Sequence, residues 1–173
     1  MKRPEKGDYP EYFETYFQNI KDENPIELMV SQKKELLNLL STTNENEANY
    51  SYTDGKWSIK EVLGHLIDSE RVFCYRAVAI ARGETQPLPG FEQDDYVNGG
   101  NFNSRELTDL IDEYQKIRDA SIPLFKSFDE TDYNKRGIAN NNPLTVRAVL
   151  FLIPGHEKHH INILKERYLK LKD

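Results

Sequence analysis

The stretch from Val146 to Leu164 sets Val146, Val149, Leu150, Ile153, Ile163 and Leu164 on one helical stripe, and His156 and His160 fall in line with it. Positions four apart lie about 40° apart around a helix, so these two imidazoles project together, one turn apart. A second histidine-bearing stripe lies far upstream, where His65 stands among Ile59, Val62, Leu63, Leu66, Phe73, Ala77 and Ile80. An imidazole aimed into an apolar interior needs a partner. The pattern therefore favours a fold in which the two faces meet and three imidazoles share one ion. The plainer alternative leaves each histidine hydrogen-bonded within the core.

The remaining periodicities are also helical. Tyr9, Tyr12, Phe13, Tyr16 and Phe17 have the spacing of a short N-terminal helix docked on the body, where these aromatics cover a face of the fold or serve a dimer contact. Asn24 is placed to cap a helix with Pro25 at its first position, Glu27 reaching back to it and Leu28, Leu36, Leu39 and Leu40 on its face. A loop is expected from Asn44 to Gly55. Ser58 and Glu61 then form a capping box, Trp57 and Val62 are set for a hydrophobic staple, and Gly83 stops the helix. Residues 83–103, with Pro87, Pro89, Gly90, Gly99 and Gly100, read as a long loop of the functional or disordered kind. Ser104 is expected to cap a third helix carrying Leu107, Leu110, Ile111, Tyr114, Ile117 and Leu124, which Pro123 kinks or ends. Residues 129–144 are polar, with Asn140-Asn141-Asn142-Pro143 as a breaker, and Thr145 caps the fourth helix, with Pro154 as a kink point.

No segment alternates with period two, and no repeat or low-complexity tract occurs. The expected fold is all-α: a four-helix bundle with a short extra N-terminal helix, one domain over 1–173 with its core at about 25–170. The net charge of −6 and the lack of a basic patch exclude nucleic acid as an expected partner. A single cysteine, Cys74, excludes an internal disulfide framework and a zinc ribbon. No apolar run follows the basic N-terminus and none approaches a membrane span, so a cytoplasmic location is expected.

Three protein ligands with an open position is the catalytic metal pattern, whereas structural zinc is closed by four. Zinc, nickel, iron and copper all accept imidazole, so ligand type alone does not choose among them. His156-Glu157-Lys158-His159-His160 also matches the H-E-x-x-H zincin signature, in which the glutamate is the general base. Only thirteen residues follow His160, and Glu166 follows too closely to complete a zincin site, so His65 is the better third ligand. His159 lies on the flank of the stripe. Glu157 and His159 are the candidate catalytic groups. Asp68, three residues after His65, is a further candidate proton acceptor or partner for an imidazole, its default reading being a surface charge. Cys74 reads as a small packing residue, and Arg76, Arg82 and Arg118 as exposed cations available to an acidic ligand.

Two segments resemble the DinB/YfiT-like superfamily. Lys56-Trp57-Ser58-Ile59-Lys60-Glu61-Val62-Leu63-Gly64-His65-Leu66-Ile67-Asp68-Ser69-Glu70-Arg71 is similar to its second-helix motif. Gly155-His156-Glu157-Lys158-His159-His160 with Leu164-Lys165-Glu166-Arg167-Tyr168 is similar to its fourth-helix motif. Arg82-Gly83 and Leu88-Pro89-Gly90-Phe91 also look familial. The resemblance implies a four-helix bundle around a divalent metal, zinc or nickel foremost, with His65, His156 and His160 as ligands. It implies small-molecule chemistry and, in a family whose members often pair, a homodimer. The superfamily includes thiol S-transferases that use bacillithiol or mycothiol, a mycothiol-dependent isomerase, and members described only as metal-dependent hydrolases. A thiol S-transferase of the bacillithiol type, its low-molecular-weight thiol activated on the ion, is the leading expectation. A hydrolase activating water on that ion, or a non-enzymatic metal-binding stress protein, is the alternative.

Overall fold

The computed structural model describes residues 1–21 and 23–169, so position 170, the far edge of the expected core, lies outside the described residues. After a 3-10 turn at Glu11–Phe13 come α1 (Glu14–Phe17), α2 (Pro25–Leu40) and α3 (Glu45–Ala48). Next are α4 (Ile59–Ala81), α5 (Gln93–Gly100) and a 3-10 turn at Phe102–Ser104. The chain continues through α6 (Leu107–Lys126), α7 (Glu130–Tyr133), strands β1 (Arg136–Ala139) and β2 (Asn142–Thr145), and α8 (Val146–Ile163), which runs into a π turn at Leu164–Tyr168.

The four long helices are the four expected ones. Asn24 accepts the Ile26 and Glu27 amides, Ser58 and Glu61 cap α4 reciprocally, and Thr145 accepts the Ala148 amide to start α8. Both α2 and α4 pack against α6 and α8, which sets the ring order α2, α8, α4, α6. Helices α4 and α8, the two that carry the histidines, are therefore neighbours. The N-terminal helix is shorter than its aromatic spacing suggests, but Tyr9, Phe13 and Phe17 are buried and α1 packs on α8, covering a bundle face.

Four local expectations are corrected. Residues 136–145 form an antiparallel hairpin, pairing Ala139 with Asn142 and Arg136 with Thr145. Asn140 and Asn141 sit at φ 50° and 60°, the left-handed pair that a two-residue hairpin turn requires and that asparagine tolerates. The presumed loop at 83–103 contains α5, and the one at 44–55 contains α3. Ser104 does not cap α6; the cap position is Glu106, without a side-chain bond, and the Leu107 amide donates instead to Glu45 Oε1 of α3 at 2.8 Å. Pro123 lies inside α6, which continues to Lys126.

The apolar interior falls into two clusters. One gathers Phe17, Met29, Phe73, Ile80, Phe125 and Phe151, the other Leu36, Leu63, Leu66, Leu110, Tyr114 and Ile161. Between them every long helix contributes buried polar groups: Gln32 from α2, Ser69 and Glu70 from α4, Arg118 and Ser121 from α6, His156, Glu157 and His160 from α8. The bundle is thus cut across by a polar belt, which holds the candidate site.

Candidate metal centre

His65, His156 and His160 meet in this belt. Their nearest ligand atoms all lie within 4.8 Å of one another. His65 Nε2 is 3.0 Å from His156 Nε2, which is 3.2 Å from His160 Nε2. All three rings are buried. Burial holds the His65 imidazole down at about 4. Burial first, and the neighbouring imidazoles second, push His156 and His160 well below the usual range. All three are therefore neutral near pH 7, the form that ligates a metal.

The hydrogen-bond ledger of the trio does not close internally. Each neutral ring carries one N–H, and a given Nε2 is either donor or acceptor. His156 Nε2 has two imidazole Nε2 neighbours, and it can donate to one or accept from one but cannot satisfy both. Two nitrogens bound tetrahedrally to one ion at about 2.1 Å stand about 3.4 Å apart, close to the spacings seen. The donor set thus fits a divalent cation, with Ser69 Oγ, 3.5 Å from His65 Nδ1, placed to accept a hydrogen bond from an Nδ1–H tautomer that leaves Nε2 free for the ion.

Aromatic rings fix the imidazoles. Trp57 lies 4.7 Å from His65 and stacks at 6.3 Å on His160. Phe73 meets His156 edge-on at 5.7 Å, as does Tyr16 at 5.3 Å. Tyr16 also touches His159, which is exposed on the flank and packs its ring against His160.

Glu157 neither orients a histidine nor sits in solvent. It is buried, accepting from Tyr114 Oη and from Arg118 Nη1, the latter at 2.7 Å. Burial raises its carboxyl pKa, opposed by the Arg118 charge. A glutamate so engaged is not available as a zincin general base, and the H-E-x-x-H reading fails on geometry. Arg118 is likewise not exposed: it spans Glu157, both Glu70 oxygens and the Met29 carbonyl. Asp68 is half-buried and pairs with Arg71, and burial raises its carboxyl pKa. Cys74 is half-buried, donates to Ser121 Oγ at 3.2 Å, and burial pushes its thiol up to about 11.

Two cavities reach the trio. One of about 240 Å³ touches His65 and His156, walled by Tyr12, Tyr16, Phe73, Arg76 and Phe91. The other, about 300 Å³, touches His160 beside Trp57, Tyr52 and Tyr168. Gln93, at the start of α5, lines both. The segment 83–103, read from sequence as a functional loop, is therefore part of the walls. Asn140, delivered by the hairpin turn, closes another side of the first cavity.

The bundle belongs to a known family. The sequence model of the DinB superfamily matches residues 29–164, and the chain belongs to that superfamily. It is similar to an Oceanobacillus iheyensis protein named "Putative metal-dependent hydrolase OB0413", with 23% identity over 127 residues covering 73% of each chain. Its fold is similar to that of YfiT from Bacillus subtilis, described as a probable metal-dependent hydrolase with an unusual four-helix bundle topology. The TM-score is 0.76 at 15% identity, covering 98% of this chain and 93% of that one. A mycothiol-dependent maleylpyruvate isomerase shares the fold at TM-score 0.67 and 13% identity, over 84% of this chain and 61% of that one. Together the relatives' names and the three-histidine cluster support a metal-dependent function. Among the described residues no helix is long and apolar enough to cross a membrane.

Proposed function

We propose that this protein is an enzyme whose His65, His156 and His160 hold one divalent ion, zinc or nickel, and that it joins a small thiol to an electrophilic small molecule. The observation that carries the reading is the pair of cavities meeting at one buried three-nitrogen site. A transfer between two molecules needs two approaches to the reacting centre, whereas water needs no cavity of its own. An ion in this site would supply an open position that lowers the pKa of a bound thiol or water towards neutrality.

The chain's own groups set the stage for that chemistry. Ser69 Oγ is within reach of His65 Nδ1, and Trp57, Phe73 and Tyr16 pack against the imidazole rings. Glu157 and Asp68 are both consumed by arginines. Glu92 and Asp94 are the acids that line the two cavities, and both are exposed. A hydrolase would have to take its proton acceptor from these or from His159. The relatives' names favour hydrolysis, which is the second reading.

Metal content by mass spectrometry of the wild type and of His156→Ala tests the ion. About one equivalent in the wild type, lost in the variant, is expected. Cobalt substitution then separates the readings. A thiol that changes the cobalt spectrum supports transfer. A spectrum that thiols leave unchanged, with ester or amide turnover, supports hydrolysis. A wild type that takes up no ion even on reconstitution overturns both.

A further inference from the structure

Among the described residues three arginines are buried: Arg76, Arg118 and Arg147. Arg118 is met by Glu70 and Glu157, and Arg147 by Glu130 and Asn134. Arg76 differs. It is 5% exposed, yet no carboxylate among the described residues pairs with it. Its one hydrogen bond runs from Nη2 to the Pro89 carbonyl at 2.8 Å, and its guanidinium lies 5.7 Å from the Phe91 ring. A guanidinium carries five donors, so most of its hydrogen-bonding capacity is unspoken for. Its remaining nitrogens are not among the sealed polar atoms that lack a partner, which are Gln32 Oε1 and Thr43 Oγ1, so they open onto a cavity, where water or an anionic ligand can meet them.

Arg76 lines the same cavity as His65 and His156. It follows His65 by eleven residues, three turns of α4, which returns it to within about 20° of the same face. The two backbone positions are about 16 Å apart along the helix. The lining of the cavity therefore combines two imidazoles, a planar cation without a carboxylate partner, and the aromatic rings of Tyr12, Tyr16, Phe73 and Phe91. Glu92, also on the wall, is exposed and does not pair with Arg76.

We propose that Arg76 is an anion anchor, and that the small molecule occupying this cavity carries a carboxylate or phosphate bound by Arg76, with its flat body among the aromatic rings and its reacting end at the histidines. The inference rests on the reading of this cavity as a substrate site. It names the class of substrate, an anionic small molecule with a flat body, and its specificity-determining residue.

Titration calorimetry with benzoate, phenyl phosphate and neutral benzamide tests it, on metal-free and zinc-loaded protein, with metal content and circular dichroism recorded throughout. In the wild type one anion should bind at least about tenfold more tightly than benzamide, with or without zinc, and the tighter of the two tells carboxylate from phosphate. Arg76→Met should bring anion and amide within about twofold without changing metal content, and Arg76→Lys should retain part of the preference. An anion preference unchanged in Arg76→Met, or present only with zinc, overturns the proposal. Should Arg76→Met not fold, the metal-free wild type decides, and equal affinities for benzoate and benzamide refute the anchor. Because that arm needs no metal, failure of metal uptake and failure of the anchor are separate results.

Discussion

Replacing Arg118 by methionine removes the one cation of a buried cluster and leaves its carboxylates facing each other. Arg118 and Glu157 are each 1% exposed and Glu70 is 4% exposed. Four hydrogen bonds from the guanidinium go to these two acids and a fifth to the Met29 carbonyl. Breaking a buried ion pair from one side costs about 3–5 kcal/mol, because the remaining charge is left unpaired in low dielectric. We expect Arg118→Met to lose about 4 kcal/mol at pH 7, equivalent to about 8–16 °C in Tm for a chain of this size. The loss should depend on pH with a definite sign. Without the arginine, burial is the largest influence left on Glu157, and its pKa rises further above 4.5. A carboxyl whose folded pKa is raised favours the folded state at low pH and disfavours it as pH rises, so the deficit should shrink towards pH 4.5. Urea unfolding of metal-free protein, followed by circular dichroism between pH 4.5 and 8, measures both. A deficit below about 1 kcal/mol, or one independent of pH, refutes the view that this cation holds the belt together. Arg118→Met combined with Glu70→Met and Glu157→Met should recover much of the loss, since an apolar belt leaves no charge unpaired.

Other outcomes follow from the same geometry. Metal-free protein should lose stability as pH falls from 6.5 to 4: His65, held at about 4 when folded, takes a proton in the unfolded chain first, a difference of about 3 kcal/mol from this residue alone by urea unfolding. Loading with zinc should raise Tm with metal concentration, an effect that His160→Ala abolishes in a thermal melt. Gly64→Ala would set a methyl group 2.3 Å from Phe102 Cγ, costing about 1–3 kcal/mol and weakening metal retention in a chelator competition. Gly155→Ala would place its methyl 2.8 Å from the Tyr16 carbonyl oxygen, which should loosen the N-terminal segment and speed its proteolysis under native conditions.

The elements that sequence discloses are those whose causes are local. Asn24, Ser58 with Glu61, and Thr145 cap helices from within their own first turns, so position alone identifies them. The start of α6 escapes because its cap is tertiary: Glu45, sixty-two residues earlier, satisfies the Leu107 amide and is held in turn by Lys60. The hairpin escapes because its strands are four residues long, too short to show alternation, although Asn140-Asn141 between Ile138 and Leu144 is a turn signal in its own right. The histidine trio is legible because each imidazole extends an apolar stripe. Arg118 lies on such a stripe too, in the run Leu107, Leu110, Tyr114, Arg118, Ser121, Phe125 at steps of three or four residues. A cation read as exposed by habit is there a core residue by register. Glu157 was open to the opposite error, because a motif match says nothing about which side of the helix a neighbour claims.

Each histidine-bearing helix places a glycine just before its first histidine, Gly64 before His65 and Gly155 before His156. A glycine inside a helix costs about 1 kcal/mol relative to alanine, so two such positions call for a compensating contact. The compensation differs between them. At Gly64 the vacant space admits the Phe102 ring, which anchors the end of the segment that carries α5 and Gln93 along the site. At Gly155 it admits the backbone of Tyr16, whose ring then meets His156 and His159. In neither case does the glycine serve a turn; both lie in regular helix. What they provide is close approach, one for each of two covering segments that come from outside the four long helices. The bundle supplies the nitrogens, and these two glycines let the covers come near enough to make cavities of the space around them.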